Sequence, residues 1–144
     1  MGALIFHETS FEIALVIAKS RVLLANDPHC RCANFYMRPT STSQVENSGV
    51  ALAFQWEGQI VKRCDTGQML PANTLYHIST NSNGSFDENS YWCSRIYPET
   101  NHGLSLVGII YKQELASSLS LRQRINLYGL NETIRKRTTI AVKR

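Results

Sequence analysis

The chain has 144 residues, 43% of them apolar and 18% charged, with a formal net charge of +4. That length makes one domain, residues 1–144, able to bury a core without metal or disulfide staples. Nothing approaches the roughly 18 apolar residues of a membrane helix, and no charged-then-apolar leader of a signal peptide opens the chain.

Met1-Gly2 invites myristoylation, but Phe6 stands where that motif carries Ser or Thr. Thr9-Ser10-Phe11-Glu12 has the form of a helix capping box. Against it, Ile13, Val16, Ile17 and Val22 are β-branched and Lys19-Ser20 can turn a hairpin. The reading for Phe11–Ala25 is therefore a strand pair, with one N-terminal helix as the alternative. Pro39–Ser48 is polar and reads as a loop. Val50–Trp56 alternates with period two, placing Val50, Leu52, Phe54 and Trp56 on one face. Glu57-Gly58 turns the chain into Gln59–Cys64 as an expected antiparallel hairpin. Thr74–Thr80 is a further strand, Asn81–Asn89 a polar loop, and Tyr91–Tyr97 a strand stopped by Pro98. Leu104–Lys112 follows, and a final hairpin is expected through Ser118–Tyr128 and Thr133–Val142, turning at Gly129–Glu132. About nine strands at this spacing predict an all-β, antiparallel sandwich or jelly-roll-like domain.

Four cysteines, Cys30, Cys32, Cys64 and Cys93, permit two disulfides, yet a core of this size needs none. The expectation is reduced thiols in an intracellular protein. The sequons Asn83-Gly84-Ser85 and Asn131-Glu132-Thr133 matter only in a secreted one. His29-Cys30-Arg31-Cys32 brings soft ligands together, but no second Cys-x₂-Cys or His-x₃₋₅-His element completes a zinc site. No metal or cofactor is expected. Cys64 with His102 is a nucleophile pair on residue types alone.

Two short stretches resemble catalytic families. Asp65-Thr66-Gly67, approached by Gly58-Gln59-Ile60-Val61 and followed later by Leu127-Tyr128-Gly129-Leu130-Asn131, resembles the active-site triplet of retroviral-type aspartic proteases. That resemblance implies a dimer whose two aspartates share a proton. Lys62, Arg63 and Gln68 stand where the family carries apolar and small residues, and a glycine-rich flap is missing. His7-Glu8-Thr9 with His77-Ile78-Ser79 resembles the paired His-x-Thr/Ser elements of two-histidine phosphoesterases. The resemblance implies one imidazole as base and the other as acid at a phosphodiester. Glu8 occupies a position that is apolar in that family.

Charge is concentrated at the C-terminal end. Residues 122–144 carry seven basic side chains against Glu132 alone, a balance of +6, so residues 1–121 sum to −2. As a hairpin, this stretch would align Arg122, Arg124, Arg135 and Arg137 outward, with Arg124 opposite Arg137. Like charges so placed call for an anionic partner. The functional expectation is thus a non-enzymatic binding or self-assembly module, a subunit of a homo-oligomer, capsid, filament or surface complex. It would meet an anionic partner through those four arginines, without crossing a membrane. The alternatives are the small hydrolase around Asp65 and a nucleic-acid-binding β domain.

Overall fold

A computed structural model describes residues 2–28, 30–37, 49–64, 68–79, 84–89 and 92–144. In chain order the elements are β1 (Ala3–Thr9), α1 (Phe11–Ser20), β2 (Val22–Leu24), β3 (Ala33–Phe35), β4 (Val50–Trp56), β5 (Gln59–Cys64) and β6 (Thr74–Ser79). They continue with β7 (Trp92–Ile96), β8 (Leu104–Ile110), α2 (Gln113–Ser117), α3 (Leu121–Arg135) and β9 (Ala141–Lys143). The described residues are β-rich as expected, 41% of them in strands and 25% in helices. No described helix is long and apolar enough to cross a membrane.

The strands form sheets β1-β4-β8, β3-β7-β6-β5 and the parallel pair β2-β9. The first two join edge to edge at the antiparallel bridge between Phe6 and Tyr36. Strand β5 runs parallel to β6, so Gln59–Cys64 is not the return arm of a hairpin with β4. Trp56 is fully buried, with its indole Nε1 donating to the Gln59 carbonyl at 2.9 Å. Gly103, at φ +88°, passes so close that a Cβ there would lie 3.0 Å from that ring. Only glycine accommodates both demands.

Phe11–Ser20 is helical, correcting the strand-pair reading. Ser10 caps it by accepting from the Ile13 amide at 3.2 Å, and Arg21 ends it in the left-handed conformation. Phe11, Ala14, Ile17 and Ala18 recur at helical spacing and are buried in the main core, which outweighs β-branching. The second correction is larger. Leu121–Arg135 is one helix, α3, where a hairpin was expected. Ser120 and Gln123 satisfy both bonds of a capping box, and Leu127, Leu130 and Ile134 face the core at i, i+3 and i+7. Gly129 is therefore a mid-helix residue rather than a turn.

Helices α1 and α3 lie side by side on the sheet face carrying Ile5, Leu52, Phe54 and Leu106, with Gln123 Nε2 donating to Glu12 at 3.0 Å. A smaller cluster, Cys32, Leu70, Tyr76, Ile78 and Tyr97, covers the other face of the four-stranded sheet. Cys30 and Cys32 form a disulfide, correcting the expectation of reduced thiols for that pair, while Cys64 and Cys93 remain thiols.

Candidate functional site

Residues opposite one another in paired strands share a sheet face, so the registers can be followed from strand to strand. His7 of β1 lies opposite Leu52 of β4. The Phe6–Tyr36 bridge, closed by backbone bonds of 2.9 and 2.7 Å, sets His7 beside Phe35, with ring centroids 5.7 Å apart. Phe35 lies opposite Ser94, and Ser94 opposite His77. Lys62 of the parallel strand β5 continues the line. One row across the joined sheets therefore reads Leu52, His7, Phe35, Ser94, His77, Lys62.

Three strand spacings of about 4.8 Å put the backbones at His7 and His77 roughly 14 Å apart. The Phe35 and Ser94 side chains, both fully buried, stand between them in the row. Successive pairings are antiparallel, so β1 and β6 run in opposite directions. Thr9 therefore lies to one side of the row and Ser79 to the other. The elements His7-Glu8-Thr9 and His77-Ile78-Ser79 are thus related by a local two-fold between Phe35 and Ser94. The intervening Glu8 and Ile78 point to the opposite face.

The two imidazoles are held differently. His7 Nδ1 lies 2.8 Å from the Asn34 carbonyl oxygen, which can only accept, so Nδ1 carries the proton and the neutral ring has a bare Nε2. Asn34 is itself tethered, its amide donating to Asp27, whose other carboxylate oxygen accepts from the Cys30 amide at 3.2 Å. His77 Nδ1 lies 2.8 Å from the Ser94 hydroxyl, which can donate or accept, so Nε2 of His77 is free to carry a proton. Burial pushes the pKa of His7 below its ordinary 6.5, opposed by the Asn34 bond and Glu8. Burial and then the Lys62 charge lower that of His77, with Glu88 opposing.

Thr9 and His77 are buried, and Ser79 and Ser94 are fully so. The Ser79 hydroxyl is buried without a hydrogen-bond partner among the described residues, a costly state for a polar group. No protein-family model, curated protein or solved structure matches this chain.

The other sequence-derived candidates fare differently. Asp65, Thr66 and Gly67 lie outside the described residues, as does His29. No group of three or more His, Cys, Asp or Glu side chains is placed to hold a metal among the described residues. Arg122, Arg124 and Arg135 sit on α3 and Arg137 just beyond it, so the expected apposition of Arg124 with Arg137 does not exist. At 1.5 Å per residue, Arg124 and Arg135 are about 16 Å apart along the axis. Arg135 is engaged with Glu132 one turn earlier, at 2.9 Å. Sequence reasoning missed Phe35, Ser94 and Lys62. None carries a motif, and only strand register aligns them with the histidines.

Proposed function

We propose that the protein acts on a phosphodiester, with His7 as general base and His77 as general acid. Nε2 of His7 takes the proton from the attacking hydroxyl, either water or a substrate hydroxyl next to the phosphate. That oxygen bonds to phosphorus, the bond to the leaving oxygen breaks with its electron pair, and Nε2–H of His77 protonates the departing oxygen. The Ser79 hydroxyl, two residues along β6 from His77, is the donor offered to the phosphoryl oxygens, and Lys62 adds positive charge at the His77 end.

The observation that carries this reading is the shared row, in which two His-x-Thr/Ser elements face each other from oppositely directed strands. His7→Ala and His77→Ala should each lower phosphodiester turnover about 10²–10⁴-fold without unfolding the domain. Turnover by either variant within threefold of the parent, at equal folded fraction, would sink the assignment.

One observation favours a second reading, the non-enzymatic module that binds an anionic protein partner. Helix α3 exposes Leu121, Ile125 and Tyr128 to 76, 63 and 70%, with Arg122 and Arg124 interleaved among them. Apolar anchors ringed by arginine suit an acidic protein surface, or that of a second copy in an assembly. Under this reading Ile125→Glu with Arg124→Gln shrinks the mass measured under native conditions. A mass that stays the same while retention on a polyanion column falls would point to nucleic acid instead.

A further inference from the structure

Helices α1 and α3 leave a groove between them that the fold itself does not fill. On α1, Leu15, Val16 and Lys19 share one stripe; on α3, Arg122, Ile125 and Gly129 share the stripe that faces it. The space between measures about 520 Å³, with buried Ala18 and Leu130 beneath it. Val16 and Ile125 stand 62 and 63% exposed along its sides. Cations sit at both ends. Arg122 adjoins Gln123, whose amide donates to Glu12 at the start of α1, while Lys19 and Arg21 lie at the other end of that helix. Against these three cations the lining holds one carboxylate among the described residues, Glu12. Gly129 supplies a separate observation. An added Cβ there would meet nothing within 4 Å, and glycine inside a helix is weaker than alanine. Packing within the described chain therefore gives no reason for the missing side chain.

A second helix laid between Val16 and Ile125 would pass over Gly129, where any side chain would hold it off. From Arg122 to Thr133 the groove runs about 16 Å, or three turns, enough for anchors at i, i+4 and i+7. Cations at both ends, with Glu12 already engaged by Gln123, complement acidic residues at both ends of the occupant. We propose that this groove docks an amphipathic helical segment of a partner protein, apolar on its inner face and carrying Asp or Glu at each end. The proposal is independent of the phosphodiester site; it rests on the anionic-partner reading above, and names that partner's form and seat. A small-molecule site would offer convergent polar groups, whereas here the Thr133 hydroxyl is already bonded to the Gly129 carbonyl at 3.0 Å. A flat bilayer has nothing to place in a groove between two helices.

The probe is a displayed library of helical peptides of about 14 residues, selected against the full chain. Leucine is fixed at i, i+4 and i+7, and the terminal turns are randomised among Glu, Gln, Lys and Ser. Selected peptides should gather Glu at both ends, and their affinity should fall as salt is raised. Gly129→Leu fills the groove from a position that touches nothing else in the described chain, so thermal unfolding should stay level or rise. Its affinity for the selected peptide should drop about tenfold or more, because the added side chain blocks the seat. Arg122→Gln with Lys19→Gln should weaken the acidic peptide about fivefold and leave its Glu→Gln counterpart unchanged. Selection that gathers no Glu, or peptides that bind Gly129→Leu as tightly as the parent, overturns the proposal. If those peptides lose affinity for Leu121→Ala with Tyr128→Ala but not for Gly129→Leu, the groove falls while the anionic-partner reading stands. If no α3 variant alters binding, both fall. Two further measurements name the other occupants. Flotation of the parent with phosphatidylserine vesicles, undiminished in Gly129→Leu and with no peptide selected, assigns the face to lipid. A native mass that doubles with concentration in the parent, but not in Gly129→Leu, makes the occupant a second copy. Either result overturns the proposal.

Discussion

Ser79→Ala separates a structural serine from a ligand-binding one, because the two roles move stability in opposite directions. The Ser79 side chain is fully buried on β6, between Cys64 and Trp92 on the flanking strands, and its hydroxyl has no partner among the described residues. An unmet buried hydroxyl costs about 1–3 kcal/mol. Removing it leaves only the void of one oxygen, a few tenths of a kcal/mol at about 24 cal/mol per Å³. Alanine's weaker strand preference takes back part of a scale spanning about 1 kcal/mol. The net expectation is a domain about 0.5–1.5 kcal/mol more stable. With a urea m-value of roughly 2 kcal/mol/M, the unfolding midpoint rises by about 0.25–0.75 M at unchanged m. Phosphodiester turnover by the same variant should fall about tenfold or more, the worth of one hydrogen bond to a charged group. A loss of about 1 kcal/mol or more would refute the reasoning, since the hydroxyl would then be satisfied within the fold and not held open for a ligand.

Gly129→Ala discriminates helix from hairpin: mid-helix, with nothing within 4 Å of an added Cβ, alanine should add about 0.5–1 kcal/mol, whereas a turn glycine would be destabilised. Thermal unfolding reads the sign directly. Trp56→Ala should cost about 3–5 kcal/mol in chemical denaturation, given complete burial and the lost bond to Gln59. Both histidines have folded pKa values depressed below 6.5, so the unfolded chain binds more protons in the window beneath that value. Their contribution to stability is complete above pH 6.5 and is lost as pH falls through 6.5 toward the folded values. A midpoint that rises on acidification across that window would contradict it. By the same depression, kcat/KM should peak below pH 6.5, because one imidazole must be neutral and the other protonated.

The strands of the sheet core were legible because their period-two pattern has few rivals. In Val50–Trp56 the face Val50, Leu52, Phe54, Trp56 is fully buried as the alternation requires. The stretch Leu121–Leu130 was ambiguous, since alternating arginines satisfy period two while Leu127, Leu130 and Ile134 satisfy the helical spacing. The Ser120–Gln123 capping box was the local signal for the helix, and burial of Leu130 against the core decided it. Residues 11–20 were settled the same way, by a buried helical stripe that propensity alone had weighed against.

For the site, the sequence by itself determined the two His-x-Thr/Ser elements, 70 residues apart, and nothing about their relation. Only the tertiary structure decided that they share one face, one row and opposite directions. That outcome depends on strand order and on one bridge, Phe6 to Tyr36. A slip of one residue there would turn His7 away from the row. Register between distant strands is fixed by the packing of both against a common core, and that information is spread over the whole chain rather than written beside either histidine.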